Sequence, residues 1–213
     1  MRACIFGAGD YCGEGRSLVD GSFVIAADGG FLHCRAQGIV PSLAIGDFDS
    51  LGFLPDGLPI IRHPVEKDDT DMALAAREAV SRGCREILFF GALGGRLDHT
   101  LANITLLRAL AKEKISAYLF GEREVITVLL EGETAVFAGK PSGIFSLFSL
   151  SEEAVVSIDG GKYPLKKGRL TSDCALGVSN EFLQKEAKIE VHAGEVLLVW
   201  ERKDDTLPMR ARA

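Results

Sequence analysis

The stretch "EILFFGALGGRLDHTLANITLLRALAKEKISAYLF" (86–120) decides the fold. It opens on an apolar run, "EILFFGA" (86–92), too short for a helix and rich enough in large apolar residues for a buried strand. Gly91, Gly94 and Gly95 punctuate it. In "LDHTLANITLLRALAKE", Leu97, Leu101, Ile104 and Leu107 then recur at helical spacing. A second apolar run, "ISAYLF" (115–120), closes the unit. A helix between two strands carries the chain back along the sheet, so strands joined in this way run parallel. Upstream the same alternation repeats. Strands are expected at "ACIFG" (3–7), "FVIAA" (23–27), "LAIG" (43–46) and "PIIRH" (59–63). Helices are expected at "GGFLHCRAQG" (29–38) and "DTDMALAAREAVSRG" (69–83), each stopped by a glycine. The pattern predicts an α/β N-terminal domain with a mostly parallel sheet.

From about Glu124 the pattern changes. "VITVLLEG", "TAVFAG", "GIFSLFSL", "AVVSIDG", "AKIEVHAG" and "EVLLVWER" are short runs separated by turn residues. They predict an all-β C-terminal sandwich. The domains are therefore expected at 1–122 and 123–213, and the polar tail "KDDTLPMRARA" is expected to fray.

Composition narrows the function. Hydrophobic residues are 47% and charged residues 25%, enough apolar content for a real core. The formal net charge is −6 and no long run of one sign occurs, which argues against a broad nucleic-acid-binding face. An acidic protein that handles a phosphorylated ligand needs a divalent cation to offset repulsion. Cys4, Cys12, Cys34, Cys84 and Cys174 are scattered, odd in number and form no C-x-x-C, so reduced thiols and a cytoplasmic location are expected. No run approaches the roughly 20 apolar residues of a membrane span, and the chain enters a strand-like segment without an apolar signal region.

In an open parallel sheet, ligands bind outside the carboxyl ends of the strands. Four charged clusters fall at such ends: Asp28 after "FVIAA", Asp47 and Asp49 after "LAIG", Asp68, Asp69 and Asp71 after "PIIRH", and Arg96 and Asp98 after "EILFFGA". A single aspartate there reads equally as a helix cap or turn former. Asp69 in particular reads as the cap of the next helix, and Asp98 fits a cap too. Asp47 and Asp49 are harder to dismiss. In an extended chain, residues two apart point to one side, and two carboxylates side by side repel unless a hard cation such as Mg²⁺ lies between them. Phe48 between them is then expected to point the other way, into packing. The turn "GALGGRLDH" lets backbone N–H groups approach phosphate oxygens, with Arg96 as a forked cationic donor. "FGAGDYCGEG" (6–15) with Asp28 resembles a dinucleotide fingerprint, but its third glycine is one residue too far. No P-loop motif occurs, and the four histidines do not pair at metal-ligand spacing. A metal–phosphate site accounts for all four clusters at once. On these residues alone it fits a Mg²⁺-dependent phosphohydrolase or nucleotidyltransferase acting on an alcohol, or a non-catalytic nucleotide-sensing module.

"GDFDS" (46–50), "KDDTD" (67–71), "GGRLDH" (94–99), "GGKYPL" (160–165) and "VSNE" (178–181) occur in the order and approximate spacing of the thiamine pyrophosphokinase (thiamine diphosphokinase) family. The resemblance runs from about Asp28 to Glu181. It implies transfer of a pyrophosphoryl group from ATP to thiamine's hydroxyl, giving thiamine diphosphate and AMP, with Mg²⁺. It implies an α/β domain for ATP and Mg²⁺, a β-sandwich for thiamine, and a homodimer with shared active sites. Carried over by motif, Asp47, Asp49 and Asp71 would hold the metal and triphosphate. Asp28, Lys67, Asp68, Arg96 and Asp98 would complete the ATP site. Ser179, Asn180 and Tyr163 would line the thiamine pocket. Arg96 would offset transition-state charge, and Asp71 or Asp98 would accept the alcohol proton. Tyr163 reads equally as sandwich core, and Ser179 with Asn180 as a plain turn. Gly161 departs from the family, which often carries a bulkier residue there, and a more mobile turn is expected.

Overall fold

The computed structural model describes residues 1–10, 16–49, 51–63, 69–139 and 141–212. The chain divides into two compact units, Met1–Glu122 and Arg123–Ala213.

The first unit is built on β1 (Arg2–Phe6), β2 (Phe23–Ala27), β3 (Leu43–Gly46), β4 (Ile60–Arg62), β5 (Glu86–Phe90) and β6 (Ser116–Phe120). They pair in the order β6-β5-β1-β2-β3-β4, every pair parallel. After a half-buried first residue, β1, β2, β5 and β6 are buried on both faces, as strands of a parallel sheet covered by helices must be. The helices are α1 (Arg16–Val19), α2 (Gly30–Ala36), α3 (Asp71–Ser81) and α4 (Leu97–Lys112).

Local chemistry sets the helix ends. Thr70 has extended backbone, and its Oγ1 accepts the Ala73 N–H at 3.2 Å, which satisfies one of the open donors of the first turn of α3. The cap is thus Thr70 and not Asp69, whose carboxylate instead pairs with Arg77 at 2.5 Å. The buried face of α3 is Met72, Ala75, Ala76 and Ala79, small side chains at helical spacing that let the backbone lie close to the sheet.

On α4 the apolar stripe is only half used. Leu107 is buried, but Leu97 and Leu101 are 71% and 56% exposed. The buried Asn103 takes part of the inner face and donates from Nδ2 to the Ala92 carbonyl at 2.7 Å, fastening the helix to the loop before it. The first turns of α4 therefore stand clear of the sheet.

The second unit is all strand: β7 (Glu124–Leu130), β8 (Glu133–Phe137), β9 (Ile144–Ser149), β10 (Glu153–Asp159), β11 (Leu165–Thr171), β12 (Asn180–Glu181), β13 (Ala187–Ala193), β14 (Glu195–Glu201) and β15 (Met209–Arg212). Within it, β12-β9-β14-β7 pair antiparallel. A second antiparallel sheet runs β11-β10-β13-β8-β15. Alternating burial along β8, β10 and β13 gives that sheet one core face. Phe137 of β8 meets Trp200 of β14 at 5.4 Å between ring centroids and Phe182 at 4.9 Å, so the two sheets share an aromatic core.

The tail does not fray. Met209–Arg212 is an edge strand on β8. Arg210 donates from Nη2 to Glu133 Oε2 at 2.5 Å and to the Val128 carbonyl at 2.8 Å, and from Nη1 to Thr127 Oγ1 at 3.2 Å. Arg212 donates to Glu133 Oε1 at 2.5 Å. The partner carboxylate is buried far upstream in the chain, so a polar tail reads as loose until tertiary contact supplies it.

Candidate functional site

Parallel pairing carries the ends of β1, β2, β3 and β5 to one edge of the first sheet. Asp28 stands just past β2 at φ +46, and its N–H donates to the Ile45 carbonyl at 2.8 Å. Gly46, at φ +154, faces it: a Cβ there would lie 3.2 Å from the Asp28 backbone. Asp47 and Asp49 follow β3. They are not held in an extended segment, because Phe48 between them adopts φ +62 and the Asp49 N–H donates to Asp47 Oδ1 at 3.0 Å. The two carboxylates are therefore gathered by a tight turn and not by strand alternation. Phe48 is 3% exposed and anchors that turn in the core. The left-handed conformation of a bulky residue is costly, and burial of its ring offsets the cost. Asp47, Asp49 and Arg62 line a shallow depression of about 330 Å³ with Phe53 and Leu54.

After β5 the chain turns through Gly91, Gly94 and Gly95, at φ +61, +78 and +63. Arg96 precedes α4 and grips Asp98 with two bonds, Nε to Oδ1 at 3.1 Å and Nη2 to Oδ2 at 2.5 Å. Asp98 also accepts the His99 N–H at 3.0 Å. The hydrogen bond from Arg96 holds the Asp98 carboxyl below its ordinary range. Both side chains are open to solvent, at 75% and 62%. Asp98 is thus paired within the first turn of α4 and is not its cap residue.

Asp71 is the first residue of α3, on the segment that follows β4. Lys67 and Asp68 lie outside the described residues. Among the described residues, no three His, Cys, Asp or Glu side chains are gathered closely enough to hold a metal ion by themselves. Burial pushes the Cys4 thiol up to about 11 and the Cys34 thiol up to about 12, which leaves neither as a nucleophile.

In the second unit, the side chain of the buried Asn180 is committed to one turn. Its Oδ1 accepts the N–H groups of Tyr163 at 3.0 Å and Glu181 at 2.9 Å, and its Nδ2 donates to the Tyr163 carbonyl at 2.7 Å. Asn180 is therefore a brace for the "GGKYPL" turn. Ser179 sits beside it at φ +60, with its N–H donating to Ser146 Oγ at 3.1 Å. Tyr163 is not core: it is 57% exposed. Lys162 lies 5.6 Å from its ring centroid and is itself paired with Glu181 at 2.7 Å. Gly161 is buried and closely packed. A Cβ there would come within 3.1 Å of Asn180 Oδ1 and Phe145 and 3.0 Å of Ile158, tighter than most real contacts.

The loop after β1, whose glycines resemble a dinucleotide fingerprint with one spacing too long, belongs to the same edge. Gly7, Gly9 and Asp10 lie at the same edge, hydrogen-bonded to the loop after β5. The signal was present in "GAGD" as two glycines just past a strand.

Comparison with known proteins follows the same division of the chain. Residues 16–119 match the family model for the thiamin pyrophosphokinase catalytic domain, and residues 140–196 match that for the thiamin pyrophosphokinase vitamin B1 binding domain. The thiamine pyrophosphokinase of Bacillus subtilis (strain 168) is 30% identical over 182 residues, spanning 82% of this chain and 85% of that protein. A crystal structure of thiamine pyrophosphokinase from Bacillus subtilis superposes with a TM-score of 0.85 at 25% identity, covering 96% of this chain and 100% of the other. One from Geobacillus thermodenitrificans gives a TM-score of 0.81 at 28% identity, covering 97% and 100%.

Proposed function

The chain belongs to the thiamine pyrophosphokinase family, and on that premise we propose how its residues carry ATP-dependent pyrophosphorylation of thiamine. The enzyme joins ATP and thiamine to give thiamine diphosphate and AMP. In our reading the first unit takes ATP and the second takes thiamine. The observation that carries the reading is the single sheet edge after β2, β3 and β5, where Asp28, the Asp47–Asp49 turn and the Gly94–Asp98 turn occur together.

Asp28, Lys67, Asp68 and Arg96 would hold the nucleotide. Asp47, Asp49 and Asp71 would hold Mg²⁺. Their oxygens are the hard donors that this ion prefers, and Mg²⁺ commonly takes only one or two carboxylates and completes its shell with phosphate and water. A preassembled three-carboxylate cage is accordingly not required. When bound, the ion would neutralise phosphate charge and hold the triphosphate in line for displacement. The Phe48 anchor keeps the two carboxylates fixed before any ligand arrives, which spares reorganisation.

The thiamine hydroxyl forms a bond to the β-phosphorus as the bond to the AMP oxygen breaks. The alcohol proton passes to a carboxylate. Asp98 is a weak base because Arg96 holds it ionised, so the role falls to Asp71. Arg96 keeps Asp98 on its Nε and Nη2 and would meet phosphate oxygens with the remaining N–H donors of its planar fork. Tyr163, exposed beside Lys162, offers its ring face to the cationic ring of thiamine. Asn180 fixes the turn that carries it, and Ser179, next to Asn180 in the chain, would line the same pocket.

We further propose a cytoplasmic homodimer with shared sites, not bound to nucleic acid or membrane. Exposed Ile144, Leu176, Val178 and Leu183 on the second unit support association. No helix is long and apolar enough to cross a membrane among the described residues.

The deciding experiment is nucleotide chromatography of ATP incubated with and without thiamine and with and without Mg²⁺. AMP that depends on both supports the reading. ADP, or nucleotide breakdown independent of thiamine, overturns it.

A further inference from the structure

The order β6-β5-β1-β2-β3-β4 reverses between β1 and β5. From β1 the chain winds one way through β2, β3 and β4, then crosses back to place β5 and β6 on the other side. In an open parallel sheet, the ligand crevice lies outside the carboxyl ends at such a reversal. Here the two loops at that point are Gly7–Asp10 after β1 and Gly91–Arg96 after β5.

They are laced together. Gly7 N–H donates to the Phe90 carbonyl at 2.8 Å, Gly9 to Gly91 at 2.8 Å, and Asp10 to Leu93 at 3.0 Å. His33 of α2 bonds the Gly9 carbonyl through Nε2 at 3.0 Å. The glycines permit this approach: a Cβ on Gly9 would sit 2.7 Å from the Gly91 oxygen, and one on Gly91 would sit 2.5 Å from the Gly7 oxygen. At the tip, the Asp10 carboxylate occupies the space of the missing Gly94 side chain, with Oδ2 only 2.1 Å from where that Cβ would stand. Asp10 is exposed, and among the described residues no hydrogen bond or ion pair engages its carboxylate. The catalytic family model begins at residue 16, so this loop lies outside it.

An ionised carboxylate accepts hydrogen bonds and donates none. It repels phosphate, and it belongs to no cluster able to hold a metal among the described residues. Beside the Gly94–Arg96 turn, the part of a nucleoside triphosphate that suits it is the sugar, whose hydroxyls are neutral donors adjoining the phosphates. We infer that Asp10 accepts a hydrogen bond from a ribose hydroxyl of the nucleotide and makes the enzyme selective for ribonucleotides. This rests on the ATP site proposed above. A residue that merely stiffened the Gly94 turn would affect ribo- and deoxynucleotides alike.

The test is equilibrium binding of ATP, 2′-deoxy-ATP and 3′-deoxy-ATP to the full chain with Mg²⁺, for wild type, Asp10→Asn and Asp10→Ala. Circular dichroism checks that each variant is folded, and if Asp10→Ala is not, Asp10→Asn, whose uncharged amide oxygen accepts a weaker bond, should show a reduced preference. A hydrogen bond to a charged group corresponds to roughly 10- to 100-fold in affinity. Wild type should prefer ATP over at least one deoxy analogue by that factor, and the preference should collapse in Asp10→Ala. Equal binding of all three by wild type, a preference that survives in Asp10→Ala, or one undiminished in Asp10→Asn overturns the inference. So does a changed Mg²⁺ requirement with an unchanged preference, which would make Asp10 a metal ligand. Wild type that binds ATP selectively but forms no AMP with thiamine would defeat the functional reading and leave the sugar contact standing.

Discussion

Replacing Arg210 with alanine should destabilise the second unit by about 3–5 kcal/mol, the cost of stripping one partner from a buried ion pair. The side chains of Arg210 and Glu133 are 9% and 4% exposed. Glu133 accepts three bonds, from Arg210, from Arg212 at 2.5 Å and from the Leu130 N–H at 2.9 Å. Arg212 is 36% exposed and remains in the variant, which pulls the expected loss toward the lower figure. The lost bonds to Thr127 and Val128 pull it back up by about 1 kcal/mol each. Arg212→Ala should cost less, about 1–2 kcal/mol, because a partly solvated partner is removed. Trp200 is the sole tryptophan, 5% exposed against Phe137, so its fluorescence reports unfolding of this unit in urea. The double replacement Arg210→Met with Glu133→Leu separates burial from charge. It should recover most of the loss, since well-packed apolar pairs often match a buried ion pair. An Arg210→Ala loss below about 1 kcal/mol would refute the reasoning, because it would mean that water reaches Glu133 and the tail is a loose strand after all.

Asp49→Asn should lower AMP formation by roughly 100-fold or more, with the circular dichroism spectrum and melting temperature unchanged, because a metal-binding carboxylate is lost while Phe48 still anchors the turn. Asn180→Ala should weaken thiamine binding and cost about 1–3 kcal/mol, since the Tyr163 N–H loses its acceptor; a titration of thiamine paired with urea unfolding measures both. Lowering pH should leave Asp98 ionised longer than an ordinary carboxylate, so in wild type its pairing with Arg96 is lost only as pH falls through that lowered pKa. The acid limb of AMP formation should therefore not shift in Asp98→Asn if Asp71 is the base, and a shift would return the role to Asp98.

Short apolar runs and their spacing were enough to read β1 to β6, α2, α3 and α4, because strands buried on both faces and a helix with one buried face leave periodic marks. The same local rules marked six of the strands in the second half. They missed β11, whose "LKKGRLT" lies mostly exposed, and β12, only two residues long. They missed β15 because its stabilising partner, Glu133, is 77 residues away from Arg210. The acidic residues at strand ends were legible as a group, since parallel topology collects carboxyl ends at one edge whatever the details. How Asp47 and Asp49 are brought together was not, because φ +62 at Phe48 depends on a core that the local sequence does not contain. That the Asn180 side chain braces the Tyr163 turn was not legible either, because the Tyr163 backbone reaches it only in the folded chain. Composition, periodicity and motif order are properties of neighbours in the chain, and they determined the fold class and the chemistry. Which glycine yields space to Asp10, which arginine buries itself on Glu133 and which side of α4 stays wet are set by contacts between residues far apart in sequence, and only the tertiary structure decided them.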